Sequence, residues 1–138
     1  MAKESADLLS MMVQHAKTFL LEMGEFWPFG GVITTQGAIT PLAAYPGGEY
    51  PEAAEVITLL EKGIIDKFEK EEITVAAIVS DTNFRETPTS TRAQAIKVTL
   101  RMPPIVLEDH YYLYRLEEGK VILYDYLIYG RKAATSPT

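Results

Sequence analysis

The sequence predicts an α+β domain in the order α-β-β-α-β-β-β-β, with a mainly antiparallel sheet and both helices packed on one of its faces. Three observations carry that prediction. Two stretches repeat apolar residues every three or four positions, which is helical spacing. The remaining structured stretches are short apolar runs or period-two alternations bounded by turn residues, which is strand spacing. Every link between strands is short except the one that contains the second helix, so neighbouring strands run antiparallel. The 138 residues are one domain's worth of sequence, expected over 1–130 with a flexible tail over 131–138.

The first helix is expected over residues 5–23. Leu8, Leu9, Met12, Val13, Ala16, Phe19, Leu20 and Met23 form its stripe. Ser5 is placed as N-cap and Gly24 as the residue that ends it in a left-handed conformation. Residues 30–35 and 38–45 then read as a hairpin across Gln36-Gly37, because glycine at the second turn position accepts a positive φ. Tyr45 to Pro51 holds two prolines and two glycines and reads as a loop. Pro51 suits the first position of a second helix over 51–70, buried along Val56, Ile57, Leu60, Ile64 and Phe68. Gly63 interrupts that helix at a cost of about 1 kcal/mol relative to alanine, for which close contact with a neighbouring element is the usual reason.

Residues 73–81 are a compact apolar run, and 83–91 read as an exposed loop. Gln94, Ile96, Val98, Leu100 and Met102 alternate with Ala95, Lys97, Thr99 and Arg101, the cleanest strand pattern in the chain. Pro103 and Pro104 end it, since proline cannot donate to a ladder. Residues 106–116 and 120–129 form a last hairpin across Glu117-Glu118-Gly119.

Composition narrows the function classes. Thirteen Lys and Arg against nineteen Asp and Glu give a formal net charge of −6. That sign opposes nonspecific nucleic-acid binding and electrostatic attachment to a membrane surface. The absence of cysteine excludes disulfides, thiolate nucleophiles and cysteine-held metal sites. With no signal-peptide pattern and no long apolar run, a cytoplasmic setting is the expectation.

No catalytic, cofactor or metal motif is readable. His15 and His110 stand apart from any marked nucleophile or H-E-x-x-H pattern and read as surface or boundary residues. Gly30-Gly31 and Gly47-Gly48 belong to no phosphate-binding pattern and read as turn formers. Glu25, Asp81, Arg85 and Arg92 stand near predicted strand ends. If Glu25 and Asp81 met in a cleft, they could share a proton or bind a cationic group, but solvated or ion-paired loop charges are the plainer reading.

The last hairpin is denser in aromatics than the rest of the chain. Tyr112 and Tyr114 are expected on one face and Tyr111 on the other; Ile122, Tyr124, Tyr126 and Ile128 are expected to share a face opposite Val121, Leu123, Leu127 and Tyr129. Helices on one side would leave an aromatic face uncovered. Either a homodimer forms through Tyr112, Tyr114, Ile122, Tyr124, Tyr126 and Ile128, or these side chains pack across strands within one chain.

Glu25-Phe26-Trp27-Pro28-Phe29-Gly30-Gly31, with Ala43-Ala44-Tyr45 and Gly48-Glu49-Tyr50-Pro51 downstream, resembles a group of small uncharacterised bacterial proteins. These carry an E-F-[aromatic]-P-F-G joint after an N-terminal helix and a G-A-Y-x-G-x-E-x-P loop before a second one. Ile78-Val79-Ser80-Asp81 and Thr91-Arg92-Ala93-Gln94-Ala95-Ile96 are similar to that group's later blocks. The resemblance spans about Leu8 to Leu100 and implies a fold, not an activity. The element order is also that of profilin-like and roadblock-like domains, an analogy of architecture alone.

Two functional expectations follow. The first is a non-enzymatic module that self-associates as a homodimer and binds a protein partner, an immunity or antitoxin type being one version. The second is a small-molecule-binding domain or enzyme whose pocket lies at the tryptophan joint, lined by Glu25, Trp27, Phe29, Tyr45 and Tyr50.

Overall fold

The densest apolar stripe forms the longer helix. In the computed structural model, which describes residues 3–48, 51–85, 92–103 and 106–132, α1 spans Lys3–Met23 and buries Leu8, Leu9, Met12, Val13, Ala16 and Leu20 on one side. Gly24 ends it at φ 77°, its amide donating to the Leu20 carbonyl at 2.8 Å. The start differs from expectation. Ser5 lies inside the helix, buried, and its hydroxyl meets Met102 Sδ at 3.7 Å instead of capping. Helix α2 (Ala53–Glu69) begins at Glu52, which makes no side-chain cap bond, so Pro51 stands one residue ahead of the cap. Gly63 is not a close-contact site: a Cβ there would meet nothing within 4 Å.

The strands are β1 (Phe29–Thr34), β2 (Ile39–Leu42), β3 (Ile73–Phe84), β4 (Ala93–Met102), β5 (Val106–Glu117) and β6 (Lys120–Lys132). They form one sheet in the order β2-β1-β3-β4-β5-β6, with every neighbour antiparallel. The α+β class and the element order are as the sequence predicts. Gly37 turns the first hairpin at φ 86°. Glu118 and Gly119, at φ 47° and 74°, turn the last one through the left-handed two-residue geometry that suits strand twist. Three strand boundaries move. β2 stops at Leu42, short of the expected Tyr45. β3 runs on to Phe84, which pairs with Ala93, so Asn83 is strand and not loop. β6 reaches Lys132, into the expected tail; residues 86–91 of the expected loop and 133–138 of the tail lie outside the described residues.

The two helices do not share a face. Residues opposite one another in a ladder point the same way and successive residues point opposite ways. Gly31, Ile33, Ala77 and Val79 face α1, together with Ile96, Val98 and Leu100 of β4. Val32 and Ala76, set at the alternate positions, pack with Ile64 of α2 and with Ile73. α1 and α2 therefore cover opposite sides of β1 and β3, which is why those strands read as unbroken apolar runs. The Gly30-Gly31 pair is strand as well, and serves close packing: a Cβ on Gly31 would fall 2.8 Å from Met12 Cε, and one on Gly30 only 2.5 Å from the Ala77 carbonyl oxygen.

One irregularity reorders the last hairpin. The register shifts between Leu113 and Tyr114, so that Leu113 opposes Asp125, Tyr114 opposes Leu123, and Tyr124 has no opposite residue. This β-bulge puts one extra residue into β6. Below it, Tyr126 and Ile128 face the α1 side with Tyr112 and His110. Above it, Ile122 opposes Arg115, whose guanidinium lies over the Tyr124 ring at 5.4 Å on the other side. The expected common face of Ile122, Tyr124, Tyr126 and Ile128 is thus split into two pairs.

Candidate functional site

Where α1 hands over to the sheet, Phe26 does what a wedge must. It is buried, with Phe29 at 5.6 Å and Phe19 at 6.4 Å between ring centroids, and Phe19 meets Phe29 edge-on at 5.3 Å. Trp27 takes no part in that cluster and is 58 % exposed. It rims a cleft of about 360 Å³ whose other lining residues are Met23, Glu25, Phe26 and Asp81. Glu25 and Asp81, 56 positions apart in sequence, do meet there, because β3 pairs with β1 and carries its far end past the joint.

Asp81 is held from below. The hydroxyl of Tyr114, itself buried, donates to Asp81 Oδ1 at 2.7 Å. Burial raises the Asp81 carboxyl above its ordinary value, the Tyr114 bond opposes that rise, and the Glu25 charge adds to it. Burial, and then the bond to Asp81, push the Tyr114 phenol well above its ordinary range. Among the described residues no basic side chain lines the cleft, and the last turn of α1, which ends beside it, carries none. The carbonyl end of a helix adds negative potential. The arrangement can attract a cation against an indole face, or hold a proton on Asp81.

The other residues expected in this pocket stand elsewhere. Phe29 belongs to the phenylalanine cluster. Tyr45 is exposed and its hydroxyl donates to the Gly48 carbonyl, bracing its own loop. Tyr50 lies outside the described residues. The meeting of Glu25 and Asp81 is the alternative that the sequence leaves behind the plainer loop-charge reading, and the β3 register brings it about; Tyr114, carried to the joint by β5, has no sequence signal for this site.

The C-terminal hairpin is the second region. Tyr114, one of the expected interface residues, is core. Tyr112 is half-buried and stacks on Tyr126 at 4.6 Å. His110, read from sequence as a surface or boundary residue, is fully buried: Nδ1 lies 2.6 Å from the Tyr126 hydroxyl and Nε2 3.1 Å from Glu108 Oε1. That chain of carboxylate, imidazole and phenol fixes the ring and anchors Tyr126. On the opposite face Phe84, Tyr111 and Tyr129 cluster, with Phe84 and Tyr111 centroids 4.8 Å apart and Lys97 Nζ 5.6 Å from the Tyr111 ring. Packing within the chain therefore accounts for Tyr111, Tyr112 and Tyr114. It leaves Tyr124, Tyr126, Ile128 and Tyr129 of β6 between 43 and 50 % exposed.

β6 is also a sheet edge. The other edge, β2, has four residues and contains Pro41, both of which discourage further pairing. β6 has thirteen residues, no proline, and a run of apolar and aromatic side chains. His15, the other histidine, is exposed on α1 with its ring 6.4 Å from Phe29. Among the described residues no three His, Asp or Glu side chains come together as metal ligands, and no helix is long and apolar enough to cross a membrane. No protein-family model, curated protein or solved structure matches the chain.

Proposed function

We propose that this chain is a non-catalytic interaction module that self-associates through its C-terminal hairpin. The observation that carries the reading is the exposed outer strand: thirteen residues at the edge of a six-stranded sheet, with five large aromatic or aliphatic side chains, Leu123 among them, in water. A proline-free edge of that length and character is a template for another strand, and tyrosine is enriched where protein surfaces meet. Light scattering at tens of micromolar tests it. The expected mass is twice that of the 15.4 kDa chain, and a clean monomer would overturn the reading.

A second reading is favoured by one specific observation, the meeting of Glu25 and Asp81 in a cleft beside an exposed indole. It makes the joint a binding site for a small organic cation, an ammonium group held by carboxylates and the Trp27 ring. Trp27 is the only tryptophan, so its fluorescence reports on the cleft directly. Choline should shift the emission and its uncharged isostere 3,3-dimethylbutanol should not. An equal response to both, or none to choline in the millimolar range, sinks this reading.

A further inference from the structure

We infer that two copies of this chain join by antiparallel pairing of β6 with β6, with Ile128 on the two-fold axis, so that their sheets run on as one. The inference rests on the self-association reading and adds the partner, the edge and the register. It starts from the backbone. Asp125 accepts the amide of Tyr126 on its own side chain at 2.8 Å. The carboxylate thus does for that amide what a neighbouring strand would do, which places the amide of Tyr126 on the open edge. Strand geometry then puts the backbone groups of Ile128 and Gly130 on the same edge, with those of Leu127 and Tyr129 turned toward β5.

The bulge sets where pairing can begin. It leaves Tyr124 without an opposite residue and bends the strand there, so the regular part of the edge runs from about 125 to the strand end at Lys132. Two identical antiparallel strands in one sheet are related by a two-fold axis through a residue that faces its own copy. With Ile128 on that axis, Asp125 stands level with Arg131, Leu127 with Tyr129, and Tyr126 with Gly130, and the paired stretch, 125–131, fits the regular segment. Charge selects the same register. An axis at Asp125 sets two carboxylates opposite each other, which is unfavourable, and one at Tyr126 keeps only 125–127 within the regular edge and sets Asp125 opposite Leu127 with no cation. An axis at Leu127 leaves Asp125 opposite Tyr129 with no cation. Only Ile128 gives Asp125 a base on both sides of the axis, and an aromatic over a glycine beside it.

Two variants test it, read by light scattering with circular dichroism as the check on folding. Ile128→Pro removes an amide that faces outward, so the β5 ladder stays whole, and the apparent mass should fall twofold with the spectrum unchanged. The chain has no cysteine, so Ile128→Cys introduces a single thiol. Antiparallel partners stand about 4.5–5.5 Å apart between Cα atoms, within disulfide range, so mild oxidation should yield a covalent dimer. Tyr126→Cys, whose own copy lies several residues away along the strand, should not. A dimer that survives Ile128→Pro in a folded protein, or a wild-type dimer whose Ile128→Cys form does not cross-link, overturns the edge register and leaves self-association standing. A monomeric wild type overturns both. If Ile128→Pro fails to fold, the contrast between the two cysteine variants decides alone.

Discussion

Replacing Tyr114 by phenylalanine isolates one hydroxyl beneath the cleft. The ring stays in place, and what is lost is the bond to Asp81 Oδ1 at 2.7 Å. A hydrogen bond to a charged acceptor contributes about 1.5–3 kcal/mol and a neutral one about 1 kcal/mol. At pH 7 the acceptor is a carboxylate and the expected loss is about 2 kcal/mol, or about 8 °C in Tm for a chain of this size. The pH dependence follows from Asp81. Its folded carboxyl holds a proton more tightly than its ordinary value, chiefly because it is buried, while Tyr114 opposes that rise. A carboxyl raised in this way favours the folded state below its unfolded pKa, near 3.8, and that contribution is lost as pH rises through the folded value. Without Tyr114 the folded value rises further and the loss toward neutral pH is larger. Urea denaturation at pH 3 and pH 7 should therefore show a gap between wild type and variant about twice as large at pH 7. An equal gap at both, or no gap, refutes the assignment of this hydroxyl as the support of an ionised, half-buried Asp81.

Two further predictions concern glycines. Gly63→Ala, on an exposed position of α2 with open space around its missing Cβ, should raise stability by about 1 kcal/mol, measurable as an increase of about 4 °C in Tm. Gly31→Ala and Gly30→Ala should both destabilise, and in a fixed order. The first meets the flexible end of Met12 and costs about 1–3 kcal/mol; the second meets a backbone carbonyl at 2.5 Å and should cost more. Chemical denaturation ranks them, and the reverse order would show that β1 shifts more readily than the Met12 side chain.

Features set by neighbouring residues were legible in the sequence. The α1 stripe, its glycine stop, the Gly37 turn and the alternation of β4 each depend on local spacing and turn chemistry. The side of the sheet that α2 covers has its own signal, and it lies in β3. Val75, Ala76, Ala77, Ile78 and Val79 do not alternate, whereas β4 does, and a strand without alternation is covered on both faces. The face of Tyr126 and Ile128 had no such signal, because the bulge at Tyr124 adds one residue without a glycine or other marker. Half of the candidate cleft was visible in Glu25 and Trp27. Asp81 joins them through a ladder register, and Tyr114 through two more strands, neither of which any local pattern encodes.

The covering of β1 and β3 from opposite sides also sets how the molecule should open. α1 buries seven residues and is anchored by a broad cluster that reaches from β1 to Tyr114 of β5, whereas α2 buries three, Val56, Leu60 and Ile64, the last of them on Val32, Ile73 and Ala76. The free energy of local opening follows the apolar surface that each segment buries. Amide protons of α2 should exchange with solvent through a separate, low-energy opening that leaves the sheet and α1 closed, while those of α1, β3 and β4 should exchange only when the whole chain unfolds. The sheet thus divides the protein into a durable half and a half that is released first.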